Sequence, residues 1–283
     1  MKRFKLTVLV EDSLSASGKA RGLEAKHGLS VLVEMTNPEF SILMDTGQSS
    51  DTLFRNMEIL GLRLEKVDVI FLSHGHYDHT GGLPGILRKM SKSIPIVAHP
   101  AAFNPKFKLT PGLRYIGLPS KPQELESLGG ILLLAKNPVT ITKGVTTTGY
   151  IERITTYERP EGFWTVENEE FLEETVPDDQ ALILNLGNEG LVVVSGCAHA
   201  GIINTVKHAQ KLTGVKKVHA VVGGFHLVGS EEGRVKATID DLTEINPSFI
   251  YPCHCTGLKP IQGLVETFRE RCKQLGTGDT IWV

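Results

Sequence analysis

Three of the chain's ten histidines fall within six residues, in His74-Gly75-His76-Tyr77-Asp78-His79. Imidazole and carboxylate are ligands that suit zinc, manganese or iron. Six consecutive residues cannot easily close all four side chains around one ion. His74 and His76, leaving a strand, share a face and can point the same way. Asp78 and His79 stand at the turn into the next helix and can aim elsewhere. The spacing therefore suits two neighbouring divalent ions, as in two-metal hydrolytic sites whose ions sit roughly 3.5–4 Å apart and share a water. The bland alternative is a polar loop with chance histidines, and so dense a cluster speaks against it.

The cluster follows Val67 to Leu72, a nearly continuous apolar run that suits a buried strand. Lys5 to Val10, Leu29 to Glu34, Phe40 to Met44 and Ile94 to Ala98 are further strands, and Gly81 to Met90 reads as a helix. The last hundred residues alternate strand and helix. Ala181 to Leu186 and Leu191 to Ser195 form a hairpin. Helices run through Ile202 to Leu212, Val235 to Leu242 and Ile261 to Cys272, with strands at Lys217 to Val222, Phe249 to Tyr251 and Thr280 to Val283. Two stretches, 103–122 and 153–179, read as long irregular loops, either lids over a site or excursions without a role. Strands followed by amphipathic helices imply sheets covered by helices, an α+β chain whose residues 1–283 fit one large domain or two intimately packed halves.

With a formal net charge of −2, no global basic excess points to nucleic acid. No apolar run is long enough for a membrane span. The N-terminus alternates in polarity and runs into Glu11-Asp12, which reads as a first strand rather than a signal peptide. Four cysteines do not make a disulfide scaffold, and Cys197, Cys253 and Cys255 lie beside histidines. Reduced thiols near a metal, and a cytoplasmic location, are expected. Gly81-Gly82 and Gly223-Gly224 match neither a P-loop nor a dinucleotide fingerprint, and there is no GxSxG elbow.

Ser73-His74-Gly75-His76-Tyr77-Asp78-His79-Thr80-Gly81-Gly82 resembles the HxHxDH signature of the metallo-β-lactamase superfamily. Ile42-Leu43-Met44-Asp45-Thr46-Gly47 resembles its earlier strand-end aspartate. The resemblance covers essentially the whole chain. It implies an αββα sandwich of two mixed sheets covered by helices, with a di-metal site at one edge. It also implies that His74 and His76 hold one ion, Asp78 and His79 the other, and that Asp45 orients a ligand histidine. His254 resembles the superfamily's final histidine ligand. Cys197 stands where a bridging aspartate is usual, and His199 is the best replacement for a missing histidine ligand. The bridge is left to Asp178, Asp179, Cys197 or water. His226 follows a glycine pair whose Gly224 lets backbone approach a substrate. It is left the roles of substrate contact, proton donor or ligand, beside that of a satisfied core histidine. His27 and His99 read as structural or peripheral, His208 and His219 as a helix-surface and a strand residue.

Asp178-Asp179-Gln180, Ser195-Gly196-Cys197-Ala198-His199-Ala200-Gly201, Gly223-Gly224-Phe225-His226 and His254-Cys255-Thr256-Gly257 resemble one branch of that superfamily, the group related to archaeal dihydropterin–aminobenzene phosphate synthases. The resemblance implies two divalent ions, zinc first and manganese or iron next, with Asp78, His226 and Asp45 serving the chemistry. The expected activity is metal-dependent hydrolysis of a small phosphorylated molecule through a metal-activated water. The alternative is condensation of a dihydropterin diphosphate with an arylamine. A nuclease or phosphodiesterase would want a basic arm or an added domain, and a di-iron redox module an attached flavodoxin-like domain; neither is expected here. Cys197 as a nucleophile activated by His199 would leave the HxHxDH cluster unexplained.

Overall fold

The computed structural model describes residues 4–109 and 111–283. The early basic residues Lys2 and Arg3, and Thr110 within the 103–122 stretch, lie outside the described residues. Two mixed sheets face each other. The first has seven strands in the order Thr280–Trp282, Phe4–Val10, Ser30–Thr36, Glu39–Met44, Val69–Phe71, Ile94–Ala98 and Gly130–Leu134. Its first four strands are antiparallel and its last four parallel. The second has six, in the order Phe249–Cys253, Val218–Gly224, Leu191–Ser195, Ala181–Asn185, Val145–Thr147 and Thr140–Thr142.

Side-chain alternation assigns the layers. Val31, Val33, Ile42 and Met44 of the first sheet pack against Leu182, Leu184, Val192 and Val194 of the second. Their neighbours Leu32 and Leu43 turn the other way, onto Leu53, Met57, Ile86 and Leu87 of helices Ser50–Ile59 and Leu83–Lys89. Ile183, Val193 and Val221 turn out to Ile202, Val206, Leu242 and Leu264 of helices Ile202–Thr213, Glu232–Ile245 and Leu258–Phe268. The expected helix–sheet–sheet–helix sandwich is therefore present. No helix among the described residues is long and apolar enough to cross a membrane.

Two expectations need correction. The stretches 103–122 and 153–179 are not loops throughout. Lys106–Lys108 and Arg114–Tyr115 of the first join Trp164–Glu167 and Glu170–Glu173 of the second in a small antiparallel sheet. Strands of two to four residues, paired across more than fifty, leave almost no local period to read. The expected helix from Gly81 to Met90 is present as Leu83–Lys89, and a separate short helix, Tyr77–Thr80, precedes it. The last long helix stops at Phe268, where Arg269 takes φ +56°, so Cys272 lies beyond it.

The small sheet is fastened to the sandwich by a buried charge. Lys106, with no exposed side-chain surface, donates to Asp178 Oδ1 at 2.9 Å and to the Ala101 carbonyl at 3.2 Å. Asp178 Oδ2 in turn accepts the Gly75 N–H at 2.7 Å, between His74 and His76. Removing one partner of such a pair strands the other charge in the interior. Lys106→Met should lower stability by about 3–5 kcal/mol in urea unfolding. A loss under about 1 kcal/mol would put the pair in the class of surface ion pairs and contradict this account.

Candidate metal centre

Strands from both sheets end at one edge, and each delivers its next few residues there. Phe4–Val10 leads to Glu11 and Asp12, Glu39–Met44 to Asp45, and Val69–Phe71 to Ser73 and His74. From the second sheet, Leu191–Ser195 leads to Cys197 and His199, Val218–Gly224 to His226, and Phe249–Cys253 to His254. Open sheets place functional groups beyond such strand ends.

Asp45 organises the first loop. Its Oδ1 accepts the Ser73 N–H at 2.8 Å, and its Oδ2 accepts the Ser73 hydroxyl and His79 Nδ1–H, each at 2.7 Å. With its proton given to Asp45, the Ser73 oxygen accepts from His74 Nδ1 at 2.9 Å. Both rings are thereby left with an unprotonated Nε2 pointing inward. Between them, Gly75 admits no side chain, since a Cβ there would lie 2.0 Å from the Ala102 carbonyl oxygen.

Two groups of ligand atoms result. In the first, His74 Nε2 lies 2.9 Å from His76 Nδ1, and His199 Nε2 lies 3.3 and 3.1 Å from those two. In the second, Asp78 Oδ2 is 3.6 Å from His79 Nε2 and 3.5 Å from His254 Nε2, and those two nitrogens are 3.2 Å apart. Ligands about 2.0–2.1 Å from one tetrahedral ion stand roughly 3.3–3.4 Å apart, so both groups fit a zinc-sized cation. Burial lowers the pKa of His74 and His199, and brings His76 down to about 3. These rings are neutral, as ligands must be. Converging lone pairs in a buried site call for a cation between them.

Cys197 brings its sulfur to 3.2 Å from His79 Nε2, and its sulfur also groups with the ligand atoms of His74 and His79. The sulfur thus adjoins both clusters. Of the two aspartates weighed for the same place, Asp178 is engaged elsewhere, while Asp179 keeps a buried Oδ1 with no hydrogen-bond partner. Asp178 is held by Lys106 and Gly75, and Asp179 Oδ2 accepts the Ala200 N–H at 2.8 Å, fixing the turn that carries His199. Burial raises the Asp179 carboxyl to about 7.

The other expected residues separate. His226 holds its ring 4.2 Å from that of His199, tilted by 55°, with a buried Nδ1 lacking any partner, so it borders the first group. Gly224 is buried. A Cβ there would meet the Gly196 carbonyl oxygen at 2.5 Å and Cys255 Sγ at 2.6 Å. Its bareness allows the close packing of these strand ends. His99 is structural as expected, accepting the Ala101 N–H at its Nδ1. His27 is not peripheral. It lies at the second group, with Nε2 3.5 Å from Asp78 Oδ2. Glu11 and Asp12 were also missed. They hold His254, one through its backbone N–H at 2.7 Å and the other through Nδ1 at 3.1 Å. The available signal was an acidic pair directly after a strand, the pattern that exposed Asp45. Phe163, 5.2 Å from the His76 ring and 5.0 Å from that of His199, roofs the first group.

Protein purified without chelator should carry about two divalent ions per chain by elemental analysis. His76→Ala and His254→Ala should each bring this to about one, because each removes a ligand from a different group. Metal near zero in the unaltered protein, or unchanged in both variants, would contradict the arrangement.

The metallo-beta-lactamase superfamily profile matches residues 24–200. The chain is 35% identical, over 98% of its length and 96% of the relative's, to 7,8-dihydropterin-6-methyl-4-(beta-D-ribofuranosyl)-aminobenzene-5'-phosphate synthase of Methanocaldococcus jannaschii. A ribonuclease Z of Treponema pallidum is 39% identical, but over only 25% of this chain and 21% of its own. The crystal structure of Tm1679, described as a metal-dependent hydrolase of the beta-lactamase superfamily, superposes with a TM-score of 0.83 at 28% identity, covering 98% of each chain. The strand-end ligand groups and these end-to-end likenesses agree, and the chain belongs to the metallo-beta-lactamase superfamily, in the branch that resembles the dihydropterin synthase.

Proposed function

We propose that the chain is a two-metal enzyme acting on a small phosphorylated molecule, joining a dihydropterin diphosphate to a phosphorylated arylamine with loss of diphosphate. The end-to-end likeness to the named synthase carries this reading. Two divalent ions, held by His74, His76 and His199 and by Asp78, His79 and His254 with Cys197 between them, would supply positive charge to phosphate oxygens and lower the pKa of water. Zinc suits a set that includes a thiolate better than manganese does.

The chain's own residues divide the remaining work. Asp45, Ser73, Asp12 and Glu11 hold the ligand rings in one tautomer and one orientation. Phe163 keeps solvent from the first group, and Lys108 places its ammonium 4.9 Å from the Phe163 ring centre, setting a cation at the same edge. An anionic substrate is favoured there. His226, beside His199 with Nδ1 unpartnered, would contact the substrate or pass a proton to the departing group. The small sheet carrying Lys106 and Lys108, and ending near Phe163, serves as the lid. Four free cysteines fit a reducing, cytoplasmic setting.

Hydrolysis is the second reading, favoured by the likeness to Tm1679. There, water replaces the arylamine as acceptor. Cleavage of nucleic acid has less support, since the ribonuclease likeness spans a quarter of the chain and the net charge is −2. Zinc-loaded and manganese-loaded protein should be assayed with a dihydropterin diphosphate, with and without the phosphorylated arylamine. Pyrophosphate release that requires the arylamine is the expected result. Equal release without it would establish the hydrolytic reading instead, and turnover of phosphodiesters alone would overturn both.

A further inference from the structure

His27 belongs to neither ligand group, yet the fold pins it to the second. It lies on the segment between helix Ala16–Arg21 and strand Ser30–Thr36. The segment is pressed against the metal loop through its backbone. The Leu29 N–H reaches the Asp78 carbonyl at 3.3 Å, and a Cβ on Gly28 would lie 2.2 Å from that oxygen. Asp12 fixes it from the other side. Its Oδ1 accepts the Gly28 N–H at 3.0 Å and faces His254 Nδ1 at 3.1 Å, and its Oδ2 lies 3.4 Å from His27 Nδ1.

The ring is therefore held from both edges, with a carboxylate oxygen at each nitrogen: Asp12 at Nδ1 and Asp78 at Nε2. Its side chain is 53% exposed, while that of Asp78 is 12% and that of His254 1%. Beside the second group, this imidazole is the one that meets both solvent and the ligand atoms. The His254 and Tyr77 rings flank it at 5.5 and 6.4 Å. Asp78 Oδ2 is itself a ligand atom of the group. When that oxygen is engaged, His27 Nε2 needs another partner, and an anionic oxygen arriving from solvent supplies one.

We propose that His27 is a substrate-contact residue, hydrogen-bonding a phosphate oxygen at the second ligand group, and that Asp12 positions it. The inference rests on the phosphorylated-substrate reading above and adds the residue that recognises the phosphate. The probe is inorganic pyrophosphate, titrated calorimetrically into zinc-loaded protein, with zinc content measured in parallel. In His27→Ala the zinc content should match the unaltered protein while pyrophosphate binds about tenfold more weakly or worse, the size of effect expected for a hydrogen bond to a charged group. His27→Gln keeps an N–H donor at similar reach and should recover part of the loss, which a merely structural role would not produce. Unchanged pyrophosphate affinity in fully loaded His27→Ala would overturn the assignment. So would loss of zinc in that variant, since His27 would then serve the ligand group itself. Failure of the loaded, unaltered protein to bind pyrophosphate would overturn the phosphorylated-substrate reading and this inference with it.

Discussion

Asp45 is fully buried, and its two oxygens accept the Ser73 N–H, the Ser73 hydroxyl and His79 Nδ1–H. Through Ser73 it also sets the proton on His74. One carboxylate thus decides which nitrogens of two rings, one in each ligand group, stay bare. A neutral substitute would leave buried donors unpaired, each at a cost of about 1–3 kcal/mol. It would also free the rings to turn their protons inward, where two lone pairs are needed. Coordination of a metal by either group would start from this residue, although it touches neither ligand point.

The second constraint is backbone strain at strand ends. Asp45, Ala198, His226 and His254 all adopt φ between +47° and +58°, a region that side-chain-bearing residues seldom use. Such positions cost of order 1–3 kcal/mol each and persist only where the surroundings enforce them. Here the enforcement is visible. Asp179 holds the Ala198 turn through the Ala200 N–H, and Glu11 takes the His254 N–H. Each sharp exit turns a side chain back across the sheet edge, so that strands of opposite sheets can aim at one volume. Packing between the sheets, through residues such as Met44, Phe71 and Val194, keeps those ends in register.

Much of this was legible in the sequence because the chemistry is local. His74 to His79 lie on six consecutive residues, and the period of two in Leu29 to Met44 gives the strands that carry Asp45. His199 and His254 were found by the same rule, a histidine just past an apolar strand. What escaped has no local signature. The small sheet pairs Lys106 with Thr165 and Trp164 with Phe107, and neither segment can be read alone. Lys106 looks like an exposed lysine until Asp178, seventy-two residues away, neutralises it. His27 and Asp12 acquire meaning only when the first strand's end and the next connection fold against Asp78. At Gly224 glycine signals close approach, but the sequence does not say to what; the structure brings Gly196 and Cys255 against it.

The central claim is that two buried ligand groups, with the Cys197 sulfur beside both, would hold the ions proposed for the chemistry. X-ray absorption at the zinc edge of fully loaded protein tests this directly. The account predicts a shell of nitrogen and oxygen neighbours at about 2.0–2.1 Å with a sulfur contribution at about 2.3 Å, the sulfur lost in Cys197→Ser. A spectrum without sulfur, or one whose sulfur survives that substitution, would contradict it.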